Sequence, residues 1–157
     1  MKVFGIAGWS GSGKTTLLVR LIPVLVRLGA RVATVKHTHH DPLFGGGDER
    51  ALAAAGAVEV LSASPRRFCL THDLAGRPAP LGQLIDVIDG IDLLIVEGFK
   101  FGDHPRLEVW DPALGKPLLA GQLPQVVAIA CDSSVESGGL PVFRRDDVEG
   151  IAALILS

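Results

Sequence analysis

Residues 8–15 form a glycine-rich segment that ends in a lysine and a threonine. They read Gly-Trp-Ser-Gly-Ser-Gly-Lys-Thr and match the pattern G-x-x-x-x-G-K-[ST] at every fixed position. An apolar segment, residues 2–7, comes before them, and apolar side chains recur at helical spacing through residues 17–28. The segment is therefore predicted to join a buried strand to an amphipathic helix, the context in which this pattern binds phosphate.

Each residue type in this segment suits a contact with a nucleotide. Glycines let the backbone turn so that successive N–H groups point at phosphate oxygens, and the helix N-terminus adds partial positive charge. Lys14 is predicted to reach the β and γ phosphates, Thr15 to bind Mg²⁺ through its hydroxyl, and Thr16 to contact the α phosphate. The alternative is a glycine-rich turn with an exposed lysine. The predicted phosphate-binding residues are Ser10, Gly11, Ser12, Gly13, Lys14, Thr15 and Thr16.

A second acidic site is expected at the end of another buried strand. Glu97 follows an apolar run, at the carboxyl end where ligands bind in open α/β sheets. It is predicted to bind Mg²⁺ or to position water, and Gly98 would let the backbone approach a γ phosphate. The alternative is that Glu97 begins a solvated loop. Asp41 and Asp48 compete for a further metal role, and Asp48 could instead cap a short helix.

Strand and helix patterns alternate along the chain, which predicts an α/β fold of the P-loop NTPase type, a mostly parallel sheet flanked by helices. Pro23 should kink the first helix without ending it, because the apolar spacing continues on both sides. Residues 106–110 alternate polar and apolar side chains and are predicted to form a more exposed strand or hairpin. Residues 1–157 are expected to form a single domain. The predicted strands are 2–7, 31–36, 58–62, 67–71, 91–96 and 126–130, and the predicted helices are 14–28, 48–55, 80–88 and 146–156.

Three histidines follow the second predicted strand, in the run Lys-His-Thr-His-His-Asp of residues 36–41. They could bind zinc, but no second Cys/His pair lies at the spacing that zinc sites use. Lys36, His37 and His40 could instead bind an anionic substrate or the γ phosphate, with Lys100 extending a basic rim. The third interpretation is a polar surface loop with no specific role.

Composition excludes some classes of function. The net charge is −2 and the pI about 6.2, so the chain lacks the overall basicity of a non-specific nucleic-acid binder. No apolar run approaches the roughly 20 residues that span a bilayer, and the N-terminus has no signal-peptide pattern. Cys69 and Cys131 form no metal or redox motif. A cytoplasmic protein with no nucleic-acid or membrane partner is expected.

The base is not specified by the residues. The chain contains no Asn-Lys-x-Asp or Thr-Lys-x-Asp motif, which would indicate guanine. Asp132 follows a predicted buried strand, and its carboxylate could accept hydrogen bonds from guanine N1 and N2. Guanine and adenine both stay open on this evidence.

The combined motifs resemble the molybdopterin-guanine dinucleotide biosynthesis protein B family, MobB. The segments that carry the resemblance run in order along nearly the whole chain: 8–17 (GWSGSGKTTL), 35–40 (VKHTHH), 47–50, 55–57, 94–100 (LIVEGFK) and 130–132. The resemblance implies a dimeric GTP-binding protein of the SIMIBI class of P-loop proteins, with Mg²⁺ and at most weak GTPase activity. It also implies partnership with the MobA guanylyltransferase, which joins GMP to molybdopterin. By the same resemblance, Glu97 and Asp48 would lie near magnesium and Asp132 near the base.

Two other classes of function compete with this interpretation. One is a small-molecule kinase or a synthetase similar to dethiobiotin synthetase, a family that also carries a Val-Glu-Gly turn. The lack of an arginine-rich lid segment argues against a kinase. The other is a metal-delivery GTPase that uses the histidine cluster for nickel or zinc.

Overall fold

The structure is a computed structural model that describes residues 1–37, 47–77, 79–98 and 102–157. His40 and Lys100 lie outside the described residues. Backbone contacts divide the chain into two compact units, residues 1–37 with 86–157, and residues 38–85. The strands are β1 Lys2–Ala7, β2 Val32–Lys36, β3 Glu59–Ala63, β4 Phe68–His72, β5 Leu93–Glu97, β6 Arg106–Val109, β7 Val126–Ala130 and β8 Val142–Phe143. The helices are α1 Lys14–Arg27, α2 Gly47–Ala54, α3 Leu81–Asp86 and α4 Val148–Leu156, with a 3₁₀ turn at Pro112–Leu114.

The first unit contains a six-stranded sheet in the order β2-β5-β1-β6-β7-β8. All its neighbouring strands pair in parallel, so their carboxyl ends meet at one edge. The register aligns Ile6 and Lys36 with Glu97 on either side of β5. The predicted mostly parallel α/β sheet is confirmed, and the ends of β1, β2 and β5 come together where ligands bind in such sheets.

Helices α1 and α4 share one hydrophobic core with the sheet. Leu17, Leu21 and Leu25 of α1 are buried there, which confirms the predicted helical spacing. The helix continues past Pro23, as expected, and ends before Gly29, whose φ of 93° is a conformation that favours glycine. Helix α1 is therefore packed against the sheet from Leu17 onward.

A strand lies where residues 106–110 were predicted to form a strand or hairpin, but the prediction that it is more exposed was wrong. Strand β6 lies inside the sheet between β1 and β7, and all its residues are buried. Its two charged side chains have hydrogen-bond partners in nearby loops. Glu108 accepts hydrogen bonds from the backbone N–H groups of Leu119 and Ala120, each at 2.8 Å. Arg106 Nη2 donates to the carbonyl of Gly102 at 2.7 Å. The alternating polar side chains of residues 106–110, which suggested a solvated face, lie on a face of the sheet that loops cover.

The second unit contains helix α2 and the antiparallel hairpin β3–β4. The hairpin confirms the two short strands expected in this region, and Ser62 Oγ donates to Glu49 Oε1 of α2 at 2.8 Å. Helix α2 begins one residue earlier than predicted, so Asp48 lies in its first turn and does not cap it. One hairpin face exposes the apolar side chains of Leu61 and Phe68.

The remaining helices differ in how well the pattern predicted them. Helix α4 begins after Asp147, whose carboxylate accepts from the N–H of Gly150 at 3.0 Å, as expected for a closing helix with an aspartate at its start. Helix α3 is shorter than the predicted 80–88. None of the helices in the described part of the chain has the length and apolar character needed to cross a membrane.

Candidate nucleotide-binding site

The glycine-rich loop joins the end of β1 to the first turn of α1. Gly8, Gly11 and Gly13 have φ values of 142°, 84° and 92°, which L side chains rarely adopt. A Cβ at Gly8 would lie 2.4 Å from the carbonyl oxygen of Val109 and 2.6 Å from Ser12 Oγ. The tight loop therefore requires glycine at this position, and it packs directly on the end of β6.

Lys14 is folded over this loop. Its Nζ donates to the carbonyl oxygens of Gly8 at 3.0 Å and Trp9 at 2.9 Å. Burial lowers the pKa of Lys14, while the nearby carboxylate of Glu97 opposes that shift. The charged ammonium is thus partly desolvated at the mouth of the loop, an arrangement suited to an anionic partner.

Thr15, Lys36 and Glu97 form a polar cluster beside the loop. Thr15 Oγ1 donates to Glu97 Oε1 at 2.8 Å, and Lys36 Nζ lies 3.2 Å from Thr15 Oγ1 and 3.5 Å from Glu97 Oε1. Glu97 is almost completely buried. The hydroxyl and carboxylate oxygens are the donors that Mg²⁺ prefers, and they already converge on one point. Thr15 and Glu97 therefore fit a magnesium ion.

Asp132 is paired with an arginine that lies in the loop after β8. Its carboxylate accepts from the backbone N–H of Arg145 at 2.9 Å and from Nε at 2.7 Å. These two hydrogen bonds hold the pKa of Asp132 below its ordinary range, and the pairing raises the pKa of Arg145. Arg145 Nη1 also lies 3.4 Å from Asp111 Oδ2 and 3.5 Å from the carbonyl oxygen of Ser12. One guanidinium thus links the glycine-rich loop to the ends of β6 and β7.

A cleft of about 210 Å³ lies between the start of α1 and this pair. Its lining residues come from the loop, from α1 and from the loops after β7 and β8: Gly13, Thr16, Leu17, Arg20, Asp132 and Arg145. The cleft adjoins the predicted phosphate-binding residues, two of which, Gly13 and Thr16, line it. It has room for part of a small ligand next to the phosphate loop.

Two tryptophans border the loop. Trp9 Nε1 donates to the carbonyl of Pro117 at 2.8 Å, and Lys116 Nζ lies 5.7 Å from the centre of the Trp9 ring. Trp110 Nε1 donates to the carbonyl of Lys116 at 3.0 Å. The segment around residue 116 therefore connects both indoles, and each is placed to report a change in the loop.

The structure brings together most, but not all, of the site residues expected from the sequence. Lys36 and the loop residues meet Glu97, and the backbone N–H of His37 donates to the carbonyl of Glu97 at 2.9 Å. Asp48 belongs to the other compact unit, so its place beside magnesium stays a prediction. Among the described residues, no group of three His, Cys, Asp or Glu side chains could hold a metal ion. Much of the histidine cluster lies outside those residues, so the zinc alternative is untested.

Arg145 and Asp111 were missed by the sequence reasoning. Arg145 follows a strand of only two residues, too short to show any periodicity, and its partner Asp132 is 13 positions away. Asp111 also accepts from the N–H of Ala113 at 3.0 Å, at the start of the 3₁₀ turn after β6. A weak signal existed in the acidic residues that directly follow buried strands, because such carboxylates gather at one edge of a parallel sheet.

A glycine-rich loop between a buried parallel strand and a helix, with a carboxylate ending the adjacent strand, defines the P-loop NTPase class of fold. The family profile described as molybdopterin guanine dinucleotide synthesis protein B, MobB, matches residues 3–132. The chain belongs to this family, and the predicted resemblance is confirmed.

Individual relatives agree with the family assignment. The molybdopterin-guanine dinucleotide biosynthesis adapter protein of Escherichia coli K12 is 34% identical, over 98% of this chain and 91% of the relative. The adapter protein of the same name from Haemophilus influenzae is 37% identical, over 74% of this chain and 67% of the relative. The crystal structure of Bacillus subtilis MobB has a TM-score of 0.78 at 26% identity, covering 99% of this chain and 96% of that one.

Proposed function

We propose that this protein binds GTP with Mg²⁺ and acts as an adapter in the synthesis of molybdopterin-guanine dinucleotide. The observation that carries the proposal is the convergence of Lys14, Thr15 and Glu97 at the mouth of a phosphate loop. The relatives that share nearly the whole chain are named as adapters in that synthesis, which supports the pathway.

Binding would use groups that now contact one another. Lys14 would exchange the carbonyls of Gly8 and Trp9 for the β and γ phosphates, which satisfy its charge better than neutral acceptors do. Backbone N–H groups of the loop and the start of α1 would contact the remaining phosphate oxygens. Thr15 and Glu97 would hold Mg²⁺, and Asp48 is proposed as a further acidic group near it. Bound Mg²⁺ would neutralise negative charge on the phosphates.

The proposed role is binding and delivery, with at most slow GTP hydrolysis. The absence of an arginine-rich lid from the sequence supports this, because fast phosphoryl transfer needs groups that close over the phosphates and exclude water. The proposed partners are a MobA-type guanylyltransferase, molybdopterin or its guanine dinucleotide, and a second copy of this chain. We place the protein in the cytoplasm, where free thiols such as Cys69 and Cys131 persist.

Equilibrium binding tests the nucleotide part of the proposal. Calorimetry with GTP and ATP, each with and without Mg²⁺, should show Mg²⁺-dependent binding that favours GTP. Lys14→Ala should lose it, whereas Lys2→Ala removes an exposed lysine from the start of β1 and should bind normally. A strong preference for ATP would overturn the guanine assignment.

A reconstituted reaction tests the pathway part. Adding the purified protein to a MobA-type guanylyltransferase with GTP and molybdopterin should raise the yield of dinucleotide, and Lys14→Ala should not. Rapid phosphoryl transfer to a small acceptor by this protein alone would instead favour the kinase or synthetase class.

A further inference from the structure

Both carboxylate oxygens of Asp132 accept hydrogen bonds from Arg145. Oδ1 accepts from the arginine backbone N–H and Oδ2 from Nε, at 2.9 and 2.7 Å. A carboxylate that reads guanine would have to direct both oxygens at N1 and N2 of the base. Each oxygen already accepts one hydrogen bond from Arg145, so Asp132 is well placed to orient Arg145.

The guanidinium of Arg145 is held at several points. Nε is bonded to Asp132, and Nη1 lies within 3.5 Å of both Asp111 Oδ2 and the carbonyl oxygen of Ser12. A planar group fixed through two of its nitrogens has a defined plane, which a single ion pair would not impose. Its side chain is still 31% exposed, so part of it faces the cleft.

The cleft places this plane next to the predicted α-phosphate contact. Gly13, Thr16 and Arg145 all line the cleft, and a Cβ at Gly13 would lie 3.8 Å from Arg145 Nη1. A ligand whose phosphates lie in the loop would extend its nucleoside into this space. A guanidinium plane offers a stacking surface for an aromatic base.

We propose that Arg145 is the residue on which the purine base stacks, and that Asp132 and Asp111 are positioning residues that hold its guanidinium in place. The inference rests on the proposed nucleotide-binding function and replaces the direct contact between Asp132 and guanine. Stacking tolerates different bases, so Arg145 contributes alike to GTP and ATP binding. The preference for guanine then comes from contacts other than Asp132.

The test compares three ligands on the full chain with Mg²⁺: GTP, ATP and inorganic tripolyphosphate, which has phosphates but no base. Arg145→Ala should weaken GTP and ATP binding about tenfold each, the effect of losing one base stack, and leave tripolyphosphate binding unchanged. Arg145→Lys should behave similarly, because an ammonium has no planar surface. Arg144→Ala is the matched control, since this neighbouring arginine is exposed and forms its ion pair with Asp146.

A double-mutant cycle separates positioning from direct readout. Asp132→Asn should weaken GTP and ATP binding to a similar extent and add little in the Arg145→Ala background. If Asp132→Asn still changes the ratio of GTP to ATP affinity in that background, Asp132 reads the base and the inference is overturned. Equal losses of GTP and tripolyphosphate affinity in Arg145→Ala would also overturn it, because the arginine would then act through the phosphate loop.

Failure of the underlying function has a different signature. If the unmodified protein binds none of the three ligands, or if Lys14→Ala binds them unchanged, the nucleotide site itself is wrong. A second outcome is that the unmodified protein binds GTP and tripolyphosphate, and that Arg145→Ala retains full GTP affinity. The nucleotide site is then correct, and only the stacking role of Arg145 is wrong.

Discussion

Thr15 Oγ1 donates a hydrogen bond of 2.8 Å to Glu97 Oε1, although 82 positions separate the two residues in the chain. They meet because β1 and β5 pair in parallel, with Ile6 aligned to Glu97, and because the loop after β1 brings the start of α1 back to the same edge. A basic residue, Lys36, is aligned with Glu97 on the other side of β5. The sheet register thus gathers a hydroxyl, a carboxylate and an ammonium at the proposed magnesium position.

Glu97→Gln should reduce the gain in nucleotide affinity that Mg²⁺ provides by about tenfold or more, equivalent to about 1.4 kcal/mol. The amide keeps an oxygen that can accept from Thr15, so folding should change little, but the negative charge that attracts the cation is lost. Titration of GTP affinity against Mg²⁺ concentration measures the effect, with the exposed Glu136→Gln as the matched control. A lower melting temperature with an unchanged magnesium dependence would contradict the role.

Lys36→Gln should weaken GTP binding several-fold more than GDP binding. The ammonium lies within 3.5 Å of both oxygens of the proposed magnesium site, and like charges repel, so it must move away when those oxygens hold a cation. The terminal phosphate is the nearest partner expected for it. Calorimetry with both nucleotides checks this, and Lys2→Gln controls for the loss of one positive charge. Equal losses for GTP and GDP would place Lys36 away from the γ phosphate.

The local parts of the site could be predicted from sequence, and its long-range parts could not. The phosphate loop could be predicted because its contacts lie within one strand, one turn and one helix. Glu97 could be predicted because it ends an unbroken apolar run. The position of Arg145 in the site could not be predicted, since it depends on the contact with Asp132 and on a strand of only two residues. The strand β6 was predicted, but its exposure was wrong, because a charged side chain with partners inside a protein has the same spacing along the strand as one exposed to water.

Lys14→Met should remove a pH-dependent part of the stability of the nucleotide-free protein while lowering GTP affinity by about a hundredfold or more, the effect of losing charged hydrogen bonds to phosphate. Burial holds the pKa of folded Lys14 below its ordinary 10.5, so the unfolded chain binds the proton more tightly than the folded one. The free energy of unfolding of the unmodified protein should therefore rise with pH between the pKa of Lys14 in the folded protein and 10.5. This pH-dependent rise should be absent from Lys14→Met.

Urea unfolding of both proteins without nucleotide, from neutral pH to pH 10, measures that difference. The free energy of unfolding of the unmodified protein should rise with pH relative to that of Lys14→Met, because the lysine loses its partly buried charge. A difference between the two proteins that is constant with pH would contradict the lowered pKa of Lys14. Lys2→Met, which alters an exposed lysine on β1, should follow the unmodified protein throughout.

Glu108→Ala should destabilise the protein by about 3 kcal/mol or more, because it leaves two backbone N–H groups without their acceptor. The carboxylate is fully buried in β6, and both oxygens accept from the segment at Leu119 and Ala120. Burial raises the pKa of Glu108, and those two hydrogen bonds oppose the shift by stabilising its charged form. Urea unfolding near pH 7 measures the loss, and Glu136→Ala, at an exposed loop position, should stay within about 0.5 kcal/mol. A small effect at Glu108 would mean that water readily replaces the carboxylate and that the loop over β6 is held by other contacts.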